Sequence, residues 1–323
     1  MILITGGAGF IGSALHASLA QRDRRSIVVD RLRADGKWRN LRRHPPERVL
    51  PPDQLDGFLE TGPSLDAVVH LGAISATTAT DADLVWATNV ELSWRLWRWC
   101  AQHGVPFLYA SSAATYGDGA QGFDDDPAGL DRLLPLNLYG WSKHAFDRRV
   151  QASLERGETS PPQWAGLKFF NVYGPNEYHK GSMISVVKRK WDEVREGRPA
   201  TLFRSDRPGV SDGQQARDFI WVGDVVDILL WLLEHPGACG LFNVGTGRAR
   251  SYEDLARAVC SACDRPEAIE FVPMPEALRG HYQSFTQARM DRLREVGYDG
   301  QFTPLEDGIR AYAELLASPD PYL

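Results

Sequence analysis

Tyr139 and Lys143, in the run Leu138-Tyr139-Gly140-Trp141-Ser142-Lys143, stand four residues apart. On a helix that spacing puts both side chains on one face, a turn from each other. A free phenol, with a pKa near ~10, is a poor base at neutral pH. A neighbouring ammonium and a positive nicotinamide ring favour its phenolate and lower that pKa. The chemistry implied is removal of a hydroxyl proton while a hydride leaves the same carbon. A motif this short also arises as a surface Tyr and a surface Lys, so its weight depends on what precedes it.

What precedes it is Met1-Ile2-Leu3-Ile4-Thr5-Gly6-Gly7-Ala8-Gly9-Phe10-Ile11-Gly12. A short buried strand leads into glycines at Gly6, Gly9 and Gly12. A helix is expected from about Phe10 to Gln21, with Phe10, Ile11, Ala14, Leu15 and Leu19 at helical spacing. Glycine lets the backbone turn sharply and approach a pyrophosphate, and the helix N-terminus supplies free N–H donors. The spacing Gly-x-x-Gly-x-x-Gly differs from the commoner Gly-x-Gly-x-x-Gly and points to the short-chain dehydrogenase/reductase type.

A second strand, Ser26-Ile27-Val28-Val29-Asp30, ends on a carboxylate. An acid there binds the adenosine ribose hydroxyls and favours NAD. Arg31, Arg33 and Lys37 follow, and cations there hold a 2′-phosphate. The residues by themselves leave NAD and NADP open, and Arg33 reads equally well as a solvated loop charge.

At 323 residues the chain fits one large α/β unit with a smaller lobe. A hydrophobic fraction of 43% supports a core, and a net charge of −6 with pI near 5.8 leaves no basic footprint for nucleic acid. No apolar run approaches a membrane span, and the chain opens directly on strand one; neither a membrane segment nor a signal peptide is expected, and the setting expected is a reducing cytoplasm. Cys100, Cys239, Cys260 and Cys263 form no disulfide framework. Cys260 and Cys263 read as small residues of a helix from Tyr252 rather than a redox or metal pair, and the histidines show no metal-ligand spacing. No metal is expected.

Strands and helices alternate, which predicts a doubly wound, Rossmann-type parallel sheet with a smaller C-terminal substrate-binding lobe. Asp66–Leu71 reads as a central strand, about 81 to 103 as a helix carrying Asn89, Trp94 and Trp97, Pro106–Ala110 as a strand, and Ala165–Val172 as another. Trp94 and Trp97 read as core or subunit contact. The triple acid Asp124-Asp125-Asp126 reads as a solvated loop, and 204–216 as a polar surface loop. The expected division is a dinucleotide-binding unit over 1–170, with a returning segment at about 218–247, and a mainly substrate-binding lobe over 171–323.

Several segments carry a resemblance over nearly the whole chain. They are Thr5 to Gly12, Phe107 to Gly117 (Phe-Leu-Tyr-Ala-Ser-Ser-Ala-Ala-Thr-Tyr-Gly), Phe170-Asn171-Val172-Tyr173-Gly174-Pro175, His179-Lys180-Gly181-Ser182-Met183, Arg217-Asp218-Phe219, Phe242 to Gly247 and Tyr282 to Ala288. The chain resembles the extended short-chain dehydrogenase/reductase family, and the His-Lys-Gly-Ser-Met and Tyr-Gln-x-Phe-Thr-Gln runs resemble its branch that epimerises ADP-activated heptose. That resemblance implies C6″ epimerisation of ADP-D-glycero-β-D-manno-heptose, for lipopolysaccharide core heptose, by oxidation to a ketone and re-reduction on the other face. It implies Tyr139 as base, Ser112 as hydrogen-bond donor to the same oxygen, Lys143 on the nicotinamide ribose, and Lys180 as a second proton-transferring residue.

Other roles follow from the same resemblance. Phe10 and Ile11, in the turn of Gly6, Gly9 and Gly12, would meet the pyrophosphate. Asp30, Arg31 and Lys37 would meet the adenosine end, and their pattern in the family goes with NADP. Leu71, Gly72, Ala73, Ile74, Ser75 and Asn89, with Val172, would line the nicotinamide side. Asn171, Ser182, Arg189, Phe203, Arg204, Ser205, Asp206, Arg217 and Tyr282 would hold the nucleotide sugar together with Lys180. Arg217 is alternatively a structural ion-pair partner of an acid such as Asp218. A homo-oligomer, a pentamer by resemblance, is implied. Arg189 stands where a histidine is usual, and 204–216 is longer than the family pattern. Ser112-Ala113-Ala114-Thr115 lacks the Asp-Glu pair of a 4,6-dehydratase. A UDP- or GDP-hexose epimerase, or a non-catalytic NADP-sensing protein, are the other readings.

Overall fold

The computed structural model describes residues 1–276 and 283–323. Twelve strands are defined among them: β1 (Ile2–Thr5), β2 (Ser26–Val29), β3 (Arg48–Leu50), β4 (Ala67–His70), β5 (Phe107–Ser112), β6 (Trp164–Phe169), β7 (Asn171–Tyr173), β8 (Ala200–Phe203), β9 (Ala216–Trp221), β10 (Gly240–Val244), β11 (Ala249–Ser251) and β12 (Ile269–Val272). The helices are α1 (Phe10–Ala20), α2 (Leu55–Glu60), α3 (Ala82–Trp86), α4 (Leu92–His103), α5 (Leu138–Glu155), α6 (Val186–Arg195), α7 (Val222–Glu234), α8 (Tyr252–Ala262), α9 (Asp291–Glu295) and α10 (Leu305–Ala317).

Seven strands form one parallel sheet in the order β10-β6-β5-β4-β1-β2-β3. Strands covered on both faces are near-continuous apolar runs, and Ile2–Thr5, Ala67–His70 and Phe107–Ser112 are buried throughout, with polar residues only at their carboxyl ends. Alternation then sorts them into two cores. Leu3, Val68, Phe107 and Tyr109 pack with Leu96, Trp97 and Phe146 from α4 and α5. Ile2, Ile4, Val69 and Leu108 pack with Phe10, Leu15, Val225 and Leu229 from α1 and α7. A third core joins α6, α8 and α10 to β8 and β9.

The expected boundaries hold to within a few residues for the first strands, and the region from 81 to 103 is helical but interrupted by a π turn at Ala87–Glu91. Trp97, 1% exposed, is a core residue; Trp94 stacks on it at 6.3 Å and lies under the Arg149 guanidinium at 4.5 Å. Cys260 is buried in the third core, and all four cysteines are free. Asp125 corrects the solvated-loop reading. It is 2% exposed, and its carboxylate accepts the Asn243 backbone N–H at 2.6 Å.

Candidate active site

The carboxyl ends of β1, β4, β5 and β6 open into a cavity of about 660 Å³. Its floor is the glycine turn. Gly6 has φ +68, and a Cβ there would come 2.6 Å from the Gly72 backbone nitrogen, so no side chain fits between the two loops. Gly9 caps α1 without a side-chain hydrogen bond, which leaves first-turn N–H donors for an anion. Gly6, Gly9, Phe10, Ile11 and Gly12 all line the cavity. This cradle fits a dinucleotide pyrophosphate.

At the adenosine end, Asp30 and Lys37 line the wall and form an ion pair at 2.8 Å. The Asp30 carboxylate also accepts the N–H groups of Ala8 at 3.0 Å and Arg31 at 2.7 Å. Arg31 itself is exposed and off the wall; its backbone carbonyl, not its guanidinium, meets Lys37. Arg33, read as either a ligand or a solvated charge, lines the wall with Asp35.

Leu71, Gly72, Ala73, Ile74, Ser75 and Val172 form further wall. Asn89 does not. Fully buried in the π turn, it accepts the Ile74 N–H at 2.8 Å and donates to the Ile74 carbonyl at 3.0 Å and Ser142 Oγ at 2.9 Å. It braces the wall against α5 from behind, because its side chain is spent on the Ile74 backbone.

Ser112 closes β5, where its Oγ accepts the Ala114 N–H at 3.1 Å. Asn137 caps α5 by accepting the Gly140 N–H at 2.8 Å, so Tyr139 and Lys143 fall in its first two turns. Gly140 permits the approach: a Cβ there would meet the Ala114 carbonyl at 2.6 Å. Tyr139 and Ser112 both line the cavity. Burial, the larger effect, pushes the phenol above its ordinary pKa, and the Ser112 hydroxyl opposes it. Lys143 is 3% exposed, and burial lowers its ammonium to about 8 against an upward pull from Asp147. In the protein alone, then, Lys143 does not dominate Tyr139's acidity as its spacing led one to expect; desolvation does.

Lys180 enters the same cavity from the loop after β7. Burial lowers its pKa and Glu177 partly restores it. Asn171 lines the cavity too. Among the other residues expected to hold the nucleotide sugar, Ser182, Arg189, Phe203, Arg204, Ser205, Asp206 and Arg217 lie off its wall. Arg189 donates instead to the Ser182 carbonyl, and the Ser205 N–H to Asp212 at 2.8 Å, which holds those segments on themselves. Arg217 is 5% exposed on β9, with Tyr252 at 5.9 Å. It shares a strand face with the cavity-lining Phe219 two residues on. Tyr282 lies outside the described residues. Wall residues the sequence did not single out include Thr77, His179, Met183 and Gln283. His179 and Met183 sit in the His-Lys-Gly-Ser-Met run, where the motif was visible but only two of its side chains were assigned.

A parallel sheet in this order, with proton-handling groups at its strand ends, is the architecture of the short-chain dehydrogenase/reductase type, and this chain has it. More narrowly, the chain belongs to the NAD dependent epimerase/dehydratase family, whose sequence profile matches residues 2–245. It is 48% identical over 328 residues to the ADP-L-glycero-D-manno-heptose-6-epimerase of Nitratidesulfovibrio vulgaris (strain DP4), covering 100% of both chains. It is 43% identical over 336 residues to that of Fusobacterium nucleatum, again over 100% of both. The crystal structure of the Helicobacter pylori ADP-L-glycero-D-manno-heptose-6-epimerase superposes with a TM-score of 0.79 at 26% identity, covering 97% of this chain and 94% of that one. Among the described residues no helix is long and apolar enough to cross a membrane, and no group of His, Cys, Asp and Glu has the arrangement of a metal site.

Proposed function

We propose that the protein interconverts ADP-D-glycero-β-D-manno-heptose and ADP-L-glycero-β-D-manno-heptose by inverting C6″. One observation carries the reading: Tyr139 with Ser112, and a second proton carrier, Lys180, line one cavity. The names of the full-length relatives support the same substrate. When bound, a nicotinamide supplies a hydride acceptor that returns the hydride, so no net redox occurs. Tyr139 takes the C6″ hydroxyl proton, and Ser112 holds the resulting ketone oxygen by hydrogen bond. Lys143, on the same wall, would hold the nicotinamide ribose and keep a cation near the phenolate. After the ketone presents its other face, Lys180 delivers the proton. A hexose 4-epimerase leaves Lys180 without such a use.

The cofactor in this reading is NADP. Asp30 already accepts three donors, so ribose hydroxyls compete for a carboxylate in use, whereas Lys37 and Arg33 offer charge to a 2′-phosphate. Residues 1–170 with 218–247 form the cofactor unit and the rest of 171–323 mainly the substrate lobe, where Asn171 and Arg217 receive the nucleotide sugar. The working form is a cytoplasmic homo-oligomer, tested by sedimentation and cell fractionation. The reaction is tested by incubating the purified protein with ADP-D-glycero-β-D-manno-heptose and following C6″ by NMR. The L-glycero epimer is expected without added cofactor; no conversion with NADP added rejects the proposal.

A further inference from the structure

The face of α5 that carries Tyr139 and Lys143 carries Asp147 one turn further on. Asp147 is fully buried and ion-paired at 2.7 Å with Lys168 of β6, itself 1% exposed. Its carboxylate also accepts Ser111 Oγ at 2.6 Å and the Tyr109 hydroxyl at 3.1 Å. Lys168 donates onward to Thr115 Oγ1 at 2.9 Å, and Thr115 donates to the Ser112 carbonyl at 2.8 Å. Ser111 lies immediately before Ser112 and Thr115 in the turn just after it. The ion pair therefore grips Ser112 from both flanks, anchored on the helix that carries Tyr139.

Such a pair is a poor source of stability, because desolvation of both charges offsets most of their attraction. It does impose a fixed geometry, since every arm of the network is a directional, charge-assisted hydrogen bond. We propose that Asp147 and Lys168 are positioning residues for the reaction, holding Ser112 in register with Tyr139 and balancing the charge beneath it. This rests on the reading of Ser112 and Tyr139 as the pair that handles the substrate proton.

The charges around Tyr139 are few. Lys143 and Asp147 share its helix, Ser112 meets it from β5, and Lys180 enters the same cavity. Asp147 is faced by Lys168, Tyr109 and Ser111 from the sheet and neighbours His144 on its own helix; His70 on β4 neighbours Lys143, and Tyr116 lies 5.2 Å from Lys168 Nζ. Asp147's charge raises the proton affinity of Tyr139. Two turns of helix separate them, roughly 11 Å, close enough for an unbalanced Asp147 charge to act on Tyr139 through the protein interior.

The test uses four variants of the full chain: the neutral double Asp147→Asn/Lys168→Met, Lys168→Arg, Lys168→Met and Tyr139→Phe. The double avoids an unpaired buried charge. It is expected to fold and keep its cofactor and KM while kcat falls roughly tenfold to hundredfold, the scale of a small misalignment of reacting groups. Lys168→Arg, which keeps the charge and donors to Asp147 and Thr115 but in a larger, planar group, should lose less activity than the double. Lys168→Met leaves Asp147 unbalanced, so the acid limb of kcat moves to higher pH; if it does not fold, the double and the arginine variant decide. A double with wild-type kcat, or a loss shared with KM, overturns the proposal, as does Lys168→Arg falling as far as the double. Tyr139→Phe separates the two readings. Turnover by it rejects the role of Tyr139, whereas an inactive Tyr139→Phe beside a fully active double rejects only the positioning role.

Discussion

Lys180 Nζ lies 5.2 Å from the centre of the Phe10 ring. One residue follows β7 and the other opens α1, so the contact ties the proposed second proton carrier to the glycine turn. A ring face attracts an ammonium by about 0.5–2 kcal/mol, more as water is excluded. Phe10→Leu should therefore lower kcat by roughly threefold to thirtyfold, the equivalent of that energy, while the lost ring packing in the second core lowers the melting temperature by only a few degrees. Steady-state kinetics check it, and an unchanged kcat would show that the ring does not place Lys180.

The Lys37–Asp30 pair at 2.8 Å bears on cofactor choice. Lys37→Ala removes a charge-assisted donor, and its loss should weaken NADP by about tenfold to hundredfold and NAD far less. Fluorescence titration of the cofactor-free protein with each dinucleotide measures the ratio. Equal weakening of both would sink the 2′-phosphate role.

Burial brings Lys143 down to about 8 from 10.5. Its ammonium is therefore present below pH 8 and lost above it in the free protein. A depressed folded-state pKa contributes stability above 10.5 that is lost as pH falls towards 8. Cofactor affinity that depends on the cation should run the other way, full at pH 7 and declining through pH 8. Lys143→Met should bind more weakly and lose that decline; a Met variant with the wild-type pH profile refutes the assignment.

Asp125 is pushed up to about 6 from 3.8, by burial first, with the Asn243 N–H and Arg292 opposing. Its neutral form suits the fold, so its contribution is full below 3.8 and is lost as pH rises through 6. Asp125→Asn, which keeps an acceptor for the Asn243 N–H, should gain on wild type by about 1 kcal/mol between pH 5 and pH 7.5. Denaturant unfolding at the two pH values measures the gain, and a difference that does not grow with pH contradicts it.

The parallel sheet, the glycine turn and the Tyr139–Lys143 helix were legible because their causes are local. Continuous apolar runs report burial on two faces, a left-handed Gly6 needs glycine, and a four-residue spacing fixes a helix face. Two readings failed, and one residue escaped notice, for want of long-range information. Asp125 was taken as solvated although Asn243, more than a hundred residues later, supplies its N–H partner. Asn89 was placed on the cavity wall, yet a π turn aims its amide at the Ile74 backbone. Lys168 carried no signal at all, since a lysine inside an apolar strand has no motif.

Spacing and residue type could therefore name Tyr139 and Lys143 as a pair suited to moving a proton, and the family resemblance added Ser112. Which of them share one cavity was decided by strand order, because β6, β5, β4 and β1 end side by side only in this sheet. The environment that sets their acidity was decided there too. Burial depends on what packs over a side chain, and for Tyr139, Lys143 and Lys180 desolvation is the leading influence. A linear pattern records a residue's own polarity, whereas desolvation and ion pairing belong to neighbours that only folding brings within reach.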